Sequence, residues 1–185
     1  MVAAMYLTID ELEAGLENIG RSPRDNGVLE LIVRRPRVGE RELPEEGELD
    51  LLLGLVGDCW KTRGSPLTAD GSSDPDAQVT IMNSRAIALL AQDRERWALA
   101  GDQLFIDMDL GGENLPPGTR LALGTAVMEV TAQPHTGCKK FSARFGADAM
   151  KFVNSPVGKK LHLRGINARV AQAGVIRVGD HARKM

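Results

Sequence analysis

The chain has 185 residues, enough for one domain that buries its own core without a disulfide or a structural metal. Its 43% hydrophobic and 26% charged content is typical of ordinary globular proteins, and its longest apolar run, 51–56, is far shorter than the ~20 residues of a membrane-spanning helix. We therefore expect no membrane partner. The first ten residues lack a basic start and the two cysteines are too few for a disulfide scaffold, which predicts a cytoplasmic protein with free thiols.

The charges are unevenly distributed, although the formal net charge is only -2. Residues 40–58 carry seven acids and one base, whereas residues 139–169 carry eight Lys and Arg residues and one acid. A basic segment inside an acidic protein suggests an anionic ligand, and the alternative is a solvated face that pairs with the acidic half. We do not expect nucleic acid as a partner, because only 4% of the residues are aromatic and a net charge of -2 gives only weak long-range attraction to phosphate.

The first half of the chain predicts one helix followed by strands. The helix runs from Met5 to Ile19, with Thr8 and Glu11 at the spacing of a capping box. The strands predicted next are 28–34, 41–43 and 50–56. Residues 61–77 are rich in Gly, Ser, Pro and Asp and predict a long loop.

The second half predicts more short strands and two helices. Residues 78–82 alternate like a half-buried strand, and a helix capped by Asn83 or Ser84 follows to about Gln92. Residues 141–153 predict the other helix. The remaining predicted strands are 104–110, 120–123, 126–131, and a closing hairpin of 165–170 with 175–178. This pattern is typical of a mainly β protein with a few helices (α+β), built as a barrel or folded sheet.

The loop that carries Cys138 is the most informative part of the sequence. It leaves a strand and enters a predicted helix, which places Cys138 near a helix N-terminus that favours negative charge. Lys139 and Lys140 follow at once, and His135 and Arg144 add positive potential, so the thiolate is favoured over the thiol. A thiolate can attack an electrophile, carry sulfur as a persulfide or bind a soft metal, whereas the alternative is an inert buried cysteine.

Other kinds of site have weaker support. His135 and Cys138 have a spacing seen in zinc sites, but the sequence offers no second pair at such a spacing. Cys59 could pair with Cys138, although a reducing compartment disfavours that disulfide. The sequence contains no nucleophile elbow, phosphate-binding loop or dinucleotide fingerprint.

Four stretches resemble one known family, the MOSC domain named after the C-terminus of molybdenum cofactor sulfurases. They are the G-L-V-G-D turn at 54–58, the G-E-N-L motif at 112–115, the strand at 124–138 that ends in Pro-x-x-x-Cys, and the closing segment 163–166 with 176–180. The resemblance covers roughly residues 49–180 and is greatest over the last eighty. It implies a mostly antiparallel β-barrel with a few helices, here residues 28–185. The N-terminal helical extension, residues 1–27, is a departure from the core family.

The resemblance also implies a role for Cys138. In this family the matching cysteine coordinates molybdenum in a pterin cofactor, or is proposed to hold abstracted sulfur, so Cys138 is the expected catalytic residue and metal ligand. The first interpretation is a stand-alone molybdenum-dependent oxidoreductase that reduces N-hydroxylated compounds with an external electron-transfer protein. The cofactor-binding residues would then be Lys139, Lys140, Arg144 and Arg164 at the phosphate, His135 beside them, and Asp58 and Asn114 shaping the pocket.

The alternative interpretation is a sulfur carrier. Cys138 would hold a persulfide delivered by a cysteine desulfurase partner that depends on pyridoxal phosphate. The sequence offers no pyridoxal phosphate site of its own. It also departs from the family pattern at Cys59, where a basic residue or histidine is more usual, and in the loop 64–76, and it has no iron–sulfur cysteine pattern.

Overall fold

A computed structural model describes residues 6–185, and within them strands form a closed barrel and a smaller sheet, both flanked by helices. The strands are β1 Gly27–Ile32, β2 Glu46–Asp50, β3 Gly54–Leu55, β4 Val79–Asn83, β5 Leu104–Asp107, β6 Arg120–Leu123, β7 Ala126–Val130, β8 Ile166–Gln172, β9 Gly174–Arg177 and β10 His181–Lys184. The helices are α1 Ile9–Ala14, α2 Leu16–Gly20, α3 Trp60–Arg63, α4 Ser84–Ala91, α5 Lys139–Phe145, α6 Ala147–Asn154 and α7 Pro156–Lys160, with 3₁₀ helices at Pro75–Ala77 and Arg94–Ala100.

The barrel closes in the order β1-β10-β6-β7-β8-β4-β5. Its neighbouring strands are antiparallel except for β4 and β5, which are parallel because α4 and a 3₁₀ helix connect them. The smaller sheet has the order β3-β2-β9. The prediction of a mainly β, α+β barrel is confirmed.

Two hydrophobic cores follow from the alternation of side chains along the barrel strands. Along β5, Leu104 and Ile106 face the barrel interior, while Phe105 between them belongs to a second core outside the wall. That outer core joins the barrel to helices at both ends of the chain, because Leu12 of α1 and Phe152 of α6 are both buried in it. The outer core therefore fixes α5 and α6, which follow Cys138, against the barrel.

The N-terminal prediction is confirmed at its cap. Thr8 and Glu11 form the capping box at the start of α1. The helix ends at Ala14, however, and α2 continues after Gly15. The predicted start at Met5 lies outside the described residues.

The predicted strand over 50–56 is wrong, because a turn interrupts it. The Asp50 carboxylate accepts hydrogen bonds from the backbone N–H groups of Leu52 and Leu53, and Leu52 is 72% exposed. The predicted strand at 41–43 is reduced to a single bridge between Arg34 and Glu42. The predicted loop 61–77 contains α3 and a 3₁₀ turn.

The predicted closing hairpin is also wrong. β8 pairs with β7 and β4 in the barrel, whereas β9 leaves the barrel and pairs with β2. The strand β10, which the sequence analysis missed, returns to the barrel between β1 and β6. The predicted helix 141–153 divides at Gly146, whose φ of 94° is a left-handed value. No helix in residues 6–185 is both long and apolar enough to cross a membrane.

Candidate functional site

Cys138 is the N-cap residue of α5 and is exposed to solvent. Its carbonyl accepts the first hydrogen bond of the helix from Ser142 N, at 3.0 Å. The preceding Gly137 is held by Asn154 of α6, whose amide Oδ1 accepts from Gly137 N at 3.0 Å and whose Nδ2 donates to Gly137 O at 3.3 Å. A Cβ on Gly137 would lie 3.0 Å from Val153 Cγ2, so the close approach of loop and helix depends on glycine.

A cavity of about 180 Å³ opens beside Cys138. Among the described residues its walls contain basic side chains and no acidic one, together with the second thiol, Cys59, which is 8% exposed. The basic residues that line it are Arg35, Arg37, Arg41, Arg63, Lys140 and Arg144. Both thiols are free. A cavity with this lining attracts anions.

A row of backbone carbonyls binds three arginines that line this cavity and a fourth, Arg164, that lies outside it. Each carbonyl from Ala98 to Gly101, at the C-terminal end of a 3₁₀ helix, accepts a hydrogen bond from a different guanidinium group, and such ends carry partial negative charge. The pairs are Arg41 Nε to Ala98 O at 3.1 Å, Arg144 Nη1 to Leu99 O at 2.6 Å, Arg164 Nη2 to Ala100 O at 3.0 Å, and Arg35 Nη1 to Gly101 O at 2.6 Å. Residues from distant parts of the sequence thereby meet at one place.

The positive charges in the cavity are crowded. The pKa of Arg41 is lowered by burial and by its neighbours Arg144 and Arg35. Burial acts in the same direction on Arg35, but its ion pair with Asp58 outweighs burial and raises its pKa. Asp58 neutralises Arg35 from behind the cavity, whereas within residues 6–185 no carboxylate pairs with Arg41 or Arg144.

His135 and Arg164 lie on the other side of the Cys138 loop, around Asp102. Arg164 Nη1 donates to Asp102 Oδ2 at 2.6 Å, and His135 Nε2 lies 3.6 Å from Asp102 Oδ1. Burial, and then the nearby Arg164 charge, lower the pKa of His135 to about 4. The imidazole is therefore neutral at neutral pH, and the prediction that His135 adds positive potential beside Cys138 is wrong.

The model of the MOSC domain family matches residues 68–183, which is more than half of the chain. The chain belongs to the MOSC domain family. No curated protein matches it.

Three solved structures share the MOSC barrel seen here. The YuaD protein from Bacillus subtilis superposes with a TM-score of 0.61 at 14% identity, covering 84% of this chain and 93% of its own. YiiM from Escherichia coli has a TM-score of 0.55 at 19% identity, with coverage of 85% and 69%. YiiM from Geobacillus stearothermophilus has a TM-score of 0.54 at 16% identity, with coverage of 87% and 74%. Identities this low establish the fold and nothing finer.

The structure brings together only part of the set of site residues predicted for this MOSC protein. Cys138, Lys140 and Arg144 line one cavity, and Arg164 and His135 line another. Lys139 is exposed and lines neither.

Asp58 and Asn114 are buried, and their side chains form hydrogen bonds that connect neighbouring segments of the chain. The Asp58 carboxylate is held by Arg35 and by Trp60 N. Asn114 Nδ2 donates to Arg24 O and Asp109 O, and its Oδ1 accepts from Lys184 Nζ at 2.9 Å. Neither residue lines the cavity beside Cys138.

Several residues of the candidate site were not predicted from the sequence. Arg35, Arg41 and Arg63 precede the basic segment by about 75 to 105 residues, and Asp102 lies in the short loop before β5. The run Arg34-Arg35-Pro36-Arg37 was a signal, because a dense group of bases at the end of a strand is a candidate anion site. No local signal marks Asp102, whose role depends on tertiary contacts with Arg164 and His135.

Proposed function

We propose that this MOSC protein binds a molybdenum pterin cofactor through Cys138 and reduces N-hydroxylated compounds with electrons from an external protein donor. One observation carries the proposal: an exposed cysteine at the wall of a cavity whose described lining is basic and contains no acid. A thiolate is a soft ligand suited to such a metal, and the cofactor phosphate needs positive charge nearby.

The donor set of the cavity fits the sulfur-bound and phosphate-bearing parts of the cofactor. Lys140 and Arg144 follow Cys138 on α5, and Arg41, in the segment between β1 and β2, lines the same cavity. In the described part of the chain no carboxylate neutralises these three charges, so they are available to an anion. Arginine forks and lysine ammonium groups both bind phosphate oxygens.

The size of the cavity limits how much of the cofactor it can enclose. Its volume of about 180 Å³ is below the ~300–1,000 Å³ typical of cofactor and ligand pockets. The rest of a pterin cofactor would therefore extend beyond the cavity, where an electron donor and a substrate can reach it.

The chain's own residues would bind and orient the cofactor. A bound molybdenum centre would supply the change of oxidation state that reduction of an N–O bond requires. Cys138 would hold the metal, while Lys140 and Arg144 would anchor the phosphate. The Arg35–Asp58 pair would keep the wall of the cavity in place, because both side chains are buried and fixed by several hydrogen bonds.

Metal analysis of variants tests this proposal. Protein produced in cells that make the cofactor should contain molybdenum in the wild type and in Cys59→Ser, and little in Cys138→Ser. Cys59→Ser is the matched control because it removes the other thiol of the same cavity. Equal molybdenum in the Cys138→Ser protein would remove Cys138 from the coordination sphere and overturn the proposal.

A second comparison tests the phosphate contacts. Arg144→Gln should lower the molybdenum content, whereas Lys139→Gln should not, because Lys139 is exposed and does not line the cavity. Equal effects of the two substitutions would mean that general surface charge, and not the cavity, holds the cofactor.

The exposure of Cys138 also supports a second candidate function, a sulfur carrier served by a cysteine desulfurase partner. A desulfurase that depends on pyridoxal phosphate would transfer a sulfane sulfur to the Cys138 thiolate and leave a persulfide there. Mass spectrometry after incubation with the desulfurase and cysteine should find one added sulfur on Cys138 and none on Cys59, which is 8% exposed. Absence of the adduct with several desulfurases would exclude this role.

A further inference from the structure

A second and larger cavity lies on the opposite side of the loop that carries Cys138. Its volume is about 500 Å³, within the ~300–1,000 Å³ range of small-molecule sites. It shares no lining residue with the cavity beside Cys138 among the residues described. The two cavities are therefore separate sites on either side of one short segment, residues 133–138.

The walls of this larger cavity are mainly apolar. Four buried apolar side chains line it, and they come from different elements. They are Leu115 before the turn to β6, Val130 at the end of β7, Val153 on α6 and Ile166 at the start of β8. Apolar walls favour a ligand that buries hydrocarbon or ring surface.

The polar end of the cavity is electrically balanced. Arg164 lines it, and Asp102 neutralises the guanidinium through a 2.6 Å ion pair. His135 beside them is neutral, since burial lowers its pKa to about 4. The other charged residue among the described lining, Lys159, is exposed to solvent, which weakens its field. The cavity beside Cys138, in contrast, holds several uncompensated positive charges.

The polar end also has unused hydrogen-bonding capacity. Asp102 Oδ1, His135 Nδ1 and Arg164 Nε are buried and have no hydrogen-bond partner among the described residues. Buried polar atoms almost always have partners, and the exceptions call for an explanation such as a functional role. Two of these atoms belong to His135 and Arg164, whose side chains line the cavity, so a polar group of a ligand at this end would lie beside them.

We propose that this cavity is a second binding site, which takes an uncharged and mainly apolar small molecule with a polar group directed towards His135 and Arg164. The site also contacts the Cys138 loop. Asn167 Nδ2 donates to Gln133 O at 3.0 Å, and Asn154 holds Gly137, and both asparagines line the cavity. A ligand bound there would touch the side chains that fix the loop.

Two fluorescent probes that differ in charge test the proposal directly. N-Phenyl-1-naphthylamine is uncharged, and 1-anilinonaphthalene-8-sulfonate has the same ring skeleton with a sulfonate added. The uncharged probe should bind the full-length protein with saturating fluorescence and about tenfold or more tighter than the sulfonate. Equal or tighter binding of the sulfonate, where Ala132→Trp and Thr136→Trp also weaken it, would refute the assignment of an uncharged ligand. Sulfonate binding that both variants leave unchanged belongs to the basic cavity beside Cys138.

Variants locate the probe. Ala132 and Thr136 line the cavity at exposed positions, so Ala132→Trp and Thr136→Trp should fold and should weaken binding by about tenfold or more. Ala171→Trp is the matched control, since Ala171 is exposed on β8 and does not line the cavity. Equal urea midpoints would show that each variant is folded.

The outcome does not depend on the proposed molybdenum chemistry. The probe is measured without metal, and Cys138→Ser should bind it as well as the wild type. Absence of probe binding, or binding that both cavity variants leave unchanged, would overturn the second site while leaving the proposal for Cys138 untouched.

Discussion

The Arg35 guanidinium and the Asp58 carboxylate form two parallel hydrogen bonds behind the cavity that Cys138 lines, from Nε to Oδ2 at 2.7 Å and from Nη2 to Oδ1 at 2.8 Å. The Asp58 side chain is completely buried, and it also accepts from the backbone N–H groups of Arg35 and Trp60. This pair ties the chain that follows β1 to the start of α3. It also explains why Arg35 lines a crowded basic cavity without adding a free charge to it.

Asp58→Asn should destabilise the protein by about 3–5 kcal/mol, because it leaves the buried Arg35 charge without its partner. Urea unfolding followed by circular dichroism would measure the change. The control is Glu46→Gln, which breaks the exposed pair with Arg177 and should cost about 0–1 kcal/mol. Similar losses in the two variants would mean that the buried pair is not the main support of this region.

The stability of the protein should fall as the pH falls from 6.5 towards 4, in part because of His135. Its pKa is lowered from the ordinary value of 6.5 to about 4, so in this window the unfolded chain binds a proton at the ring and the folded protein does not. The contribution is present above pH 6.5 and lost as the pH falls to about 4, amounting to roughly 3 kcal/mol.

Comparison of the wild type with His135→Gln isolates this effect, since the carboxylates that also titrate are common to both proteins. Unfolding free energies measured from pH 7 to pH 4 should fall more steeply for the wild type. Parallel pH profiles would show that His135 is protonated in the folded state as easily as in the unfolded one.

Cys138 should react with iodoacetamide about tenfold or more faster than Cys59 in the folded protein, because Cys138 is exposed and Cys59 is 8% exposed. Peptide mass spectrometry at successive times gives both rates from one sample. In urea the two rates should become similar. Faster labelling of Cys59 in the folded state would contradict the burial of Cys59 and the exposure of Cys138.

The basic lining of the cavity should accelerate the reaction of Cys138 with anionic thiol reagents more than its reaction with neutral ones. Lys140→Gln should slow the reaction of Cys138 with the dianionic reagent 5,5′-dithiobis(2-nitrobenzoate) more than its reaction with neutral iodoacetamide. Lys139→Gln should have a smaller effect, since Lys139 does not line the cavity. The difference between reagents should shrink at high salt, and a salt-independent difference would point to a steric cause.

Gly146→Ala should destabilise the protein by about 1–3 kcal/mol, because φ 94° and ψ 163° lie in a region that side-chain-bearing residues avoid. The added Cβ would also lie 2.9 Å from Tyr6 Cγ. Gly20→Ala, at the end of α2 with open space around it, should be neutral or slightly stabilising. Thermal unfolding of both variants provides the comparison.

Features set by neighbours in the sequence could be predicted. The Thr8–Glu11 capping box, the Asn83 cap of α4 and the position of Cys138 before α5 all depend on residues within one helical turn. The partners of β9 and the existence of β10 could not be predicted, because each pairs with a strand far away in the chain.

In the candidate site, too, features set by neighbouring residues could be predicted and features set by distant residues could not. The basic segment 139–169 predicts positive charge near Cys138, and two of its residues, Lys140 and Arg144, line the same cavity as Cys138. The count of charges could not reveal that Asp102 binds Arg164 on the other side of the loop, or that Arg35 and Arg41, from the segment between β1 and β2, line the cavity. Tertiary hydrogen bonds and ion pairs decide which charged side chains remain available to a ligand. The charge composition of the sequence does not contain this information.

The row of carbonyls from Ala98 to Gly101 has a mechanical consequence. Three guanidinium groups beside Cys138 and one at the larger cavity donate hydrogen bonds to the carbonyls of adjacent peptide units. A shift of that short stretch therefore moves a wall of each cavity at once. Replacing any single arginine leaves the hydrogen bonds of the other three in place. Inserting or deleting one residue in this stretch would misalign all four guanidinium groups with their carbonyls. This part of a MOSC barrel should therefore tolerate changes of side chain far better than changes of length.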